Sequence, residues 1–129
     1  MSARTTVLRG RRIAESLMLD TCTIGTLGET TTDPDTGETT TPLVVGYTGP
    51  CKVQTWEAQE SNPEAGSAVL TVQRYQVHIP VGSFAPQVGQ VVEIGTAALD
   101  PNLTGRRYRV AALLHKTLAT AYRLGVLED

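Results

Sequence analysis

The chain has 129 residues, 40% of them apolar, a net charge of −2 and few aromatics: one Trp, one Phe and four Tyr. That length suits one domain whose single core needs neither metal nor disulfide, and the scarcity of rings argues against a deep aromatic-lined pocket. The longest apolar run, residues 110–114, is five residues, far short of the about 20 that cross a bilayer.

The first residues lack the apolar stretch of a signal peptide. The chain is therefore expected to stay in the cytoplasm where it is made, with Cys22 and Cys51 as buried thiols rather than a bridge. Charge is segregated along the chain. Residues 1–12 carry four arginines (Arg4, Arg9, Arg11, Arg12) and no acid. Residues 13–64 carry nine acids and one base, Lys52, and residues 65–127 carry two acids and six bases. Such blocks suit surfaces that meet other charged surfaces.

In chain order, residues 1–16 read as a short helix or arm. Leu8, Ile13 and Leu17 give it a loose apolar stripe, and Gly10 weakens it by about 1 kcal/mol relative to Ala. From Leu17 the period is two, with Met18, Asp20, Cys22 and Ile24 on one face. Residues 28–42 hold seven Thr and four acids. At their centre Asp33-Pro34-Asp35-Thr36-Gly37 is turn chemistry, flanked by Thr runs that favour extended backbone. These residues predict a polar hairpin projecting from the domain.

Strand signals recur at 43–47, 51–56, 69–79, 88–94, 107–115 and 119–127, punctuated by Gly49-Pro50, Asn62-Pro63, Gly82-Ser83 and Asp100-Pro101-Asn102. In the fifth, Tyr108, Val110, Ala112 and Leu114 share a face. In the last, Tyr122, Leu124 and Val126 do. Residues 57–67 read as a second polar loop, mobile in character. The fold expected for residues 17–129 is mainly β, a small antiparallel barrel or sandwich with two long polar loops.

Catalytic and metal signatures are weak. The Cys and His residues are Cys22, Cys51, His78 and His115, and none stands two to four residues from another as zinc motifs require. Asp33-x-Asp35-x-Gly37 departs from a calcium loop at its fifth and twelfth positions, Gly37 and Val44. There is no G-x-S-x-G elbow, P-loop or G-x-G-x-x-G. The expectation is a non-enzymatic protein without a cofactor. Arg106, Arg107 and Arg109 flank a single aromatic, Tyr108, which suits subunit contacts better than nucleic-acid stacking.

Residues 78–129 contain Ile79-Pro80 at a strand end, a V-G-x-V-V-E-I strand, a D-P-x-L-x-G-R-R-Y-R-V turn and strand, and an H-K-T-x-x-T-A-x-R-L close. With the opening R-G-R-R-I-A-E-S-L, this order of pieces resembles the head-to-tail stopper (head-closure, neck) proteins of long-tailed actinobacterial phages. The resemblance implies a virion structural protein, assembled in the host cytoplasm. It implies a small β-barrel that forms a six-subunit ring in the neck, helps retain packaged double-stranded DNA, and docks the tail. The implied partners are other copies of the chain, an adaptor or portal ring above, and a tail terminator or tail-tube ring below, with no membrane. On this reading Glu29, Asp33, Asp35 and Glu38, or Glu57, Glu60 and Glu64, would line the channel, where carboxylates repel DNA phosphate. Arg4, Arg9, Arg11 and Arg12 would meet the ring above, and Arg106, Arg107 and Arg109 a neighbouring subunit. The competing readings are a tail terminator ring and a small oligonucleotide-binding barrel.

Overall fold

The computed structural model describes residues 2–62 and 68–129, with side chains described for residues 2–55 and 74–129. One helix, α1 (Ala3–Ser16), precedes eight strands: β1 (Asp20–Leu27), β2 (Thr31–Thr32), β3 (Thr39–Thr40), β4 (Leu43–Asn62), β5 (Ala68–Ile79), β6 (Val91–Thr96), β7 (Arg107–Leu113) and β8 (Tyr122–Glu128). Six of them close an antiparallel barrel in the order β1-β4-β5-β8-β7-β6, while β2 and β3 pair with each other. Closure removes free edges from the body of the barrel, while residues 57–62 of β4 and 68–73 of β5 pair with each other beyond it. The expectation of a mainly-β antiparallel barrel holds.

Alternation builds the interior. Cys22, Ile24, Cys51, Val77, Ile79, Val92, Ile94, Tyr108, Val110, Leu124 and Val126 are all 3% exposed or less and form one cluster. Removing this aliphatic surface from water supplies most of the stabilisation, at roughly 25 cal/mol per Å². The phase expected for the first and last strands is the phase observed.

Several boundaries differ from the expectation. The 43–47 and 51–56 segments are one strand, β4, running through Gly49-Pro50. Pro50 sits beyond the β4–β5 ladder, which begins at Lys52 opposite His78, so its missing N–H leaves no gap on that side. Residues 57–62, read as part of a loop, continue β4 and pair with residues 68–73 of β5; residues 63–67 lie outside the described residues. A bulge between Val110 and Ala112 shifts the register of β7 against β8. It flips the alternation, so Leu113 packs against the core and Leu114 turns outward, 41% exposed.

A second bulge, opposite Ile24 and Gly25, leaves Gly46 of β4 as the extra residue. A Cβ on Gly25 would collide with the carbonyl oxygen of Val44. Only glycine lets the two backbones approach this closely. The D-P-x-L-x-G turn is a short 3-10 turn, Pro101–Leu103, in which Asp100 accepts the Asn102 N–H at 3.0 Å. Gly105, at φ 81°, then reverses the chain into β7.

Candidate interaction surfaces

The polar hairpin continues the β1–β4 ladder outward. Leu27 pairs with Leu43, the Gly28 N–H donates to Pro42 O at 2.8 Å, and Thr31 and Thr32 pair with Thr40 and Thr39. At the tip Asp33 Oδ1 accepts the Asp35 N–H at 2.8 Å, an Asx turn, and Gly37 takes φ 73°. Every residue from 29 to 42 is exposed. The structure brings Glu29, Asp33, Asp35 and Glu38 onto this one projection, and among the described residues none of them forms an ion pair. Glu57 and Glu60 lie instead on the outer part of β4, opposite Gln73 and Leu70. Their side chains, and Glu64, lie outside what is described.

α1 begins at Ser2, whose hydroxyl accepts the Thr5 N–H at 3.2 Å, an N-cap. Its partly covered residues, Val7, Gly10, Arg11 and Ala14, share one face at helical spacing. That face rests on the segment before β8: Arg11 Nε donates to Ala119 O at 3.1 Å, and Gly10 abuts Thr120. The expected apolar stripe points elsewhere, since Leu8, Ile13 and Leu17 are 44%, 58% and 55% exposed. Space at Gly10 decided the facing residues, and apolar content did not. Arg4, Arg9 and Arg12 are exposed and have no carboxylate partner among the described residues.

Arg106, Arg107 and Arg109 are already engaged. They pair with Glu128, Glu93 and Asp129 at 3.1, 3.0 and 3.4 Å across β6, β7 and β8. Each pair is exposed and so contributes at most about 1 kcal/mol. Beside them Tyr108 is fully buried with its ring 5.5 Å from that of Tyr75. Its hydroxyl has no hydrogen-bond partner among the described residues, and burial raises its pKa.

Sequence reading missed a row of bases that only the strand register assembles. Lys52 on β4, His78 on β5 and Arg123 on β8 are direct cross-strand neighbours. They lie in the strand phase opposite that of the partly buried Val53 and the buried Val77 and Leu124. Among the described residues neither the Lys52 nor the Arg123 side chain has a hydrogen-bond or ion-pair partner. His78 is only 8% exposed, with Nε2 3.3 Å from Gln76 Oε1. Burial, then Arg123 and Lys52, lower its pKa to about 4. Leu17 and Lys52 line one cleft with Leu19, Leu99 and Leu103 and with two carboxylates, Asp20 and Asp100. Asp20 is taken by the Ala98 N–H there. α1 touches Thr120 with Gly10, and Leu17, just past its end, lines this cleft.

Cys22 and Cys51 are free thiols inside the barrel, as expected from the sequence. Hydrogen bonding to Cys22, with desolvation, pushes the Cys51 thiol up. Tyr47, whose hydroxyl donates to Pro50 O at 2.7 Å, is pushed up to about 12 by burial. Cys51 and Tyr47 are therefore neutral near neutral pH. Among the described residues no cluster of three or more His, Cys, Asp or Glu is arranged to hold a metal, and no helix is long and apolar enough to cross a membrane.

The fold and its surfaces define a small closed-barrel protein with an acidic hairpin at one end, an arginine-bearing N-terminal helix and a Lys52–His78–Arg123 row. The chain belongs to the family of unknown function DUF6093, whose pattern covers residues 10–127. No curated protein and no solved structure matches it.

Proposed function

We propose that this chain is a head-to-tail stopper: a structural subunit that forms a ring in the neck of a long-tailed phage, helps retain packaged DNA and docks the tail. The observation that carries the reading is the hairpin of residues 28–42, an exposed acidic projection rooted in a closed barrel. A rigid body that acts through a protruding segment suits a scaffold. The resemblance of residues 78–129 to neck proteins supplies the setting.

In that setting the hairpins converge toward the ring axis. Their four carboxylates repel DNA phosphate, so DNA slides without sticking while the loops obstruct the channel sterically. Arg4, Arg9 and Arg12 on α1 face the adaptor or portal ring, and the tail terminator or tail-tube ring sits on the opposite side.

Electron microscopy of particles carrying this chain tests the reading. Barrel density in a ring between capsid and tail is the expected result, and its absence from the neck refutes it. Deletion of residues 31–40 tests the gate separately. Filled heads are then expected to lose DNA, and mutant particles that keep DNA and tails remove the hairpin from that role.

A further inference from the structure

We propose that the acidic hairpin of one copy seats on the basic Lys52–His78–Arg123 side of the next copy. Lys52 and Arg123 stand one strand to either side of His78, itself 8% exposed, and neither cation has a hydrogen-bond or ion-pair partner among the described residues. Two unpaired cations brought to one face by the strand register fit a surface completed by something outside the subunit.

The hairpin has the complementary chemistry. It presents Glu29, Asp33, Asp35 and Glu38 with no base between residues 28 and 42 and no internal ion pair. Its own row lies out of reach. The hairpin leaves the barrel beyond Leu43, whereas Lys52 stands nine positions further along β4, about 30 Å away at 3.3 Å per residue. The hairpin runs away from that end.

A contact between the two surfaces must therefore join different copies. It joins unlike patches, one beyond the start of β4 and one midway along it, which is a head-to-tail interface of the kind that closes rings. This deepens the ring reading by naming the contact. A hairpin that leaves its barrel toward the axis of a ring passes the adjacent copy, so its stalk rests on the neighbour while its tip faces the channel.

The test is charge reversal in the purified full-length chain, read by sedimentation over a concentration series at low and high salt. Circular dichroism checks the fold of each variant. One variant carries Glu29→Lys and Glu38→Lys, and another carries Lys52→Glu. A third, Arg123→Glu, guards against a local effect at Lys52.

Wild type is expected to self-associate, and high salt to weaken that association. Each reversal alone should raise the dissociation constant about tenfold or more, and an equimolar mixture of hairpin-reversed and row-reversed chains should associate again. Wild type that stays monomeric, single reversals that associate normally, or a mixture that stays apart overturns the contact. Tight binding of a DNA duplex that is lost in Lys52→Glu and Arg123→Glu, without any change in self-association, also overturns it and assigns the row to nucleic acid. The ring's place in the neck is read on particles, so the two proposals fail separately.

Discussion

Gly10 and Thr120 lie so close that a Cβ on the glycine would stand 2.9 Å from the threonine methyl. This contact and the Arg11–Ala119 hydrogen bond seat α1 on the barrel. Gly10→Ala ordinarily stabilises a helix by about 1 kcal/mol. Here that gain is expected to vanish against the clash. Thr120→Ser removes the methyl, so the double variant should recover about 1 kcal/mol relative to Thr120→Ser alone. Denaturant midpoints of the four proteins measure the cycle, and additive behaviour would contradict the contact.

Gly25→Ala should be the most damaging small substitution in β1. The added carbon meets the backbone of Val44, which cannot rotate away as a side chain can. A loss of roughly 2–3 kcal/mol is expected, at the upper end for overpacking. Equilibrium unfolding measures it, and a change below 0.5 kcal/mol, roughly the range of a surface substitution, would mean the bulge relaxes.

His78 links stability to pH. Its folded-state pKa is lowered to about 4 from 6.5, first by burial and then by Arg123 and Lys52. The unfolded chain therefore takes up the proton first. The stability held above pH 6.5 declines as pH falls toward 4, by at most about 3 kcal/mol. His78→Gln should flatten this slope. The histidine ring resonances followed by NMR report the pKa directly, and a midpoint near 6.5 would remove the effect.

Tyr108→Phe is expected to leave stability unchanged or raise it by about 1 kcal/mol, because the hydroxyl is buried without a partner among the described residues. The ring contact with Tyr75 is retained. A loss above about 1 kcal/mol would show that the hydroxyl is bonded after all.

The parts of the fold legible in the sequence are those set by local chemistry. Asp33-Pro34-Asp35-Thr36-Gly37 encodes its turn within five residues, and Cys22, Ile24, Leu124 and Val126 announce their face by alternation. Illegible were features that depend on a partner strand. Gly49-Pro50 reads as a break, yet β1 pairs across it. Residues 57–62 are polar and read as loop, yet β5 pairs with them. Leu114 follows the inward phase in sequence and is turned out by a bulge. The Lys52–His78–Arg123 row could not be anticipated, since its members are distant in sequence and meet only through two registers.

The β1–β6 seam has a further consequence. Thr21 pairs with Thr96, and their hydroxyls meet at 2.7 Å. β1 pairs with β4 on one edge at short range, but its other edge waits, during synthesis and refolding alike, for a partner 75 positions downstream. Hairpins β4–β5 and β7–β8 zip locally, whereas closing this seam carries the loop entropy of most of the polypeptide. Such topologies fold in roughly milliseconds to seconds. A nascent subunit thus acquires its sealed form late, after the bulk of it has left the ribosome.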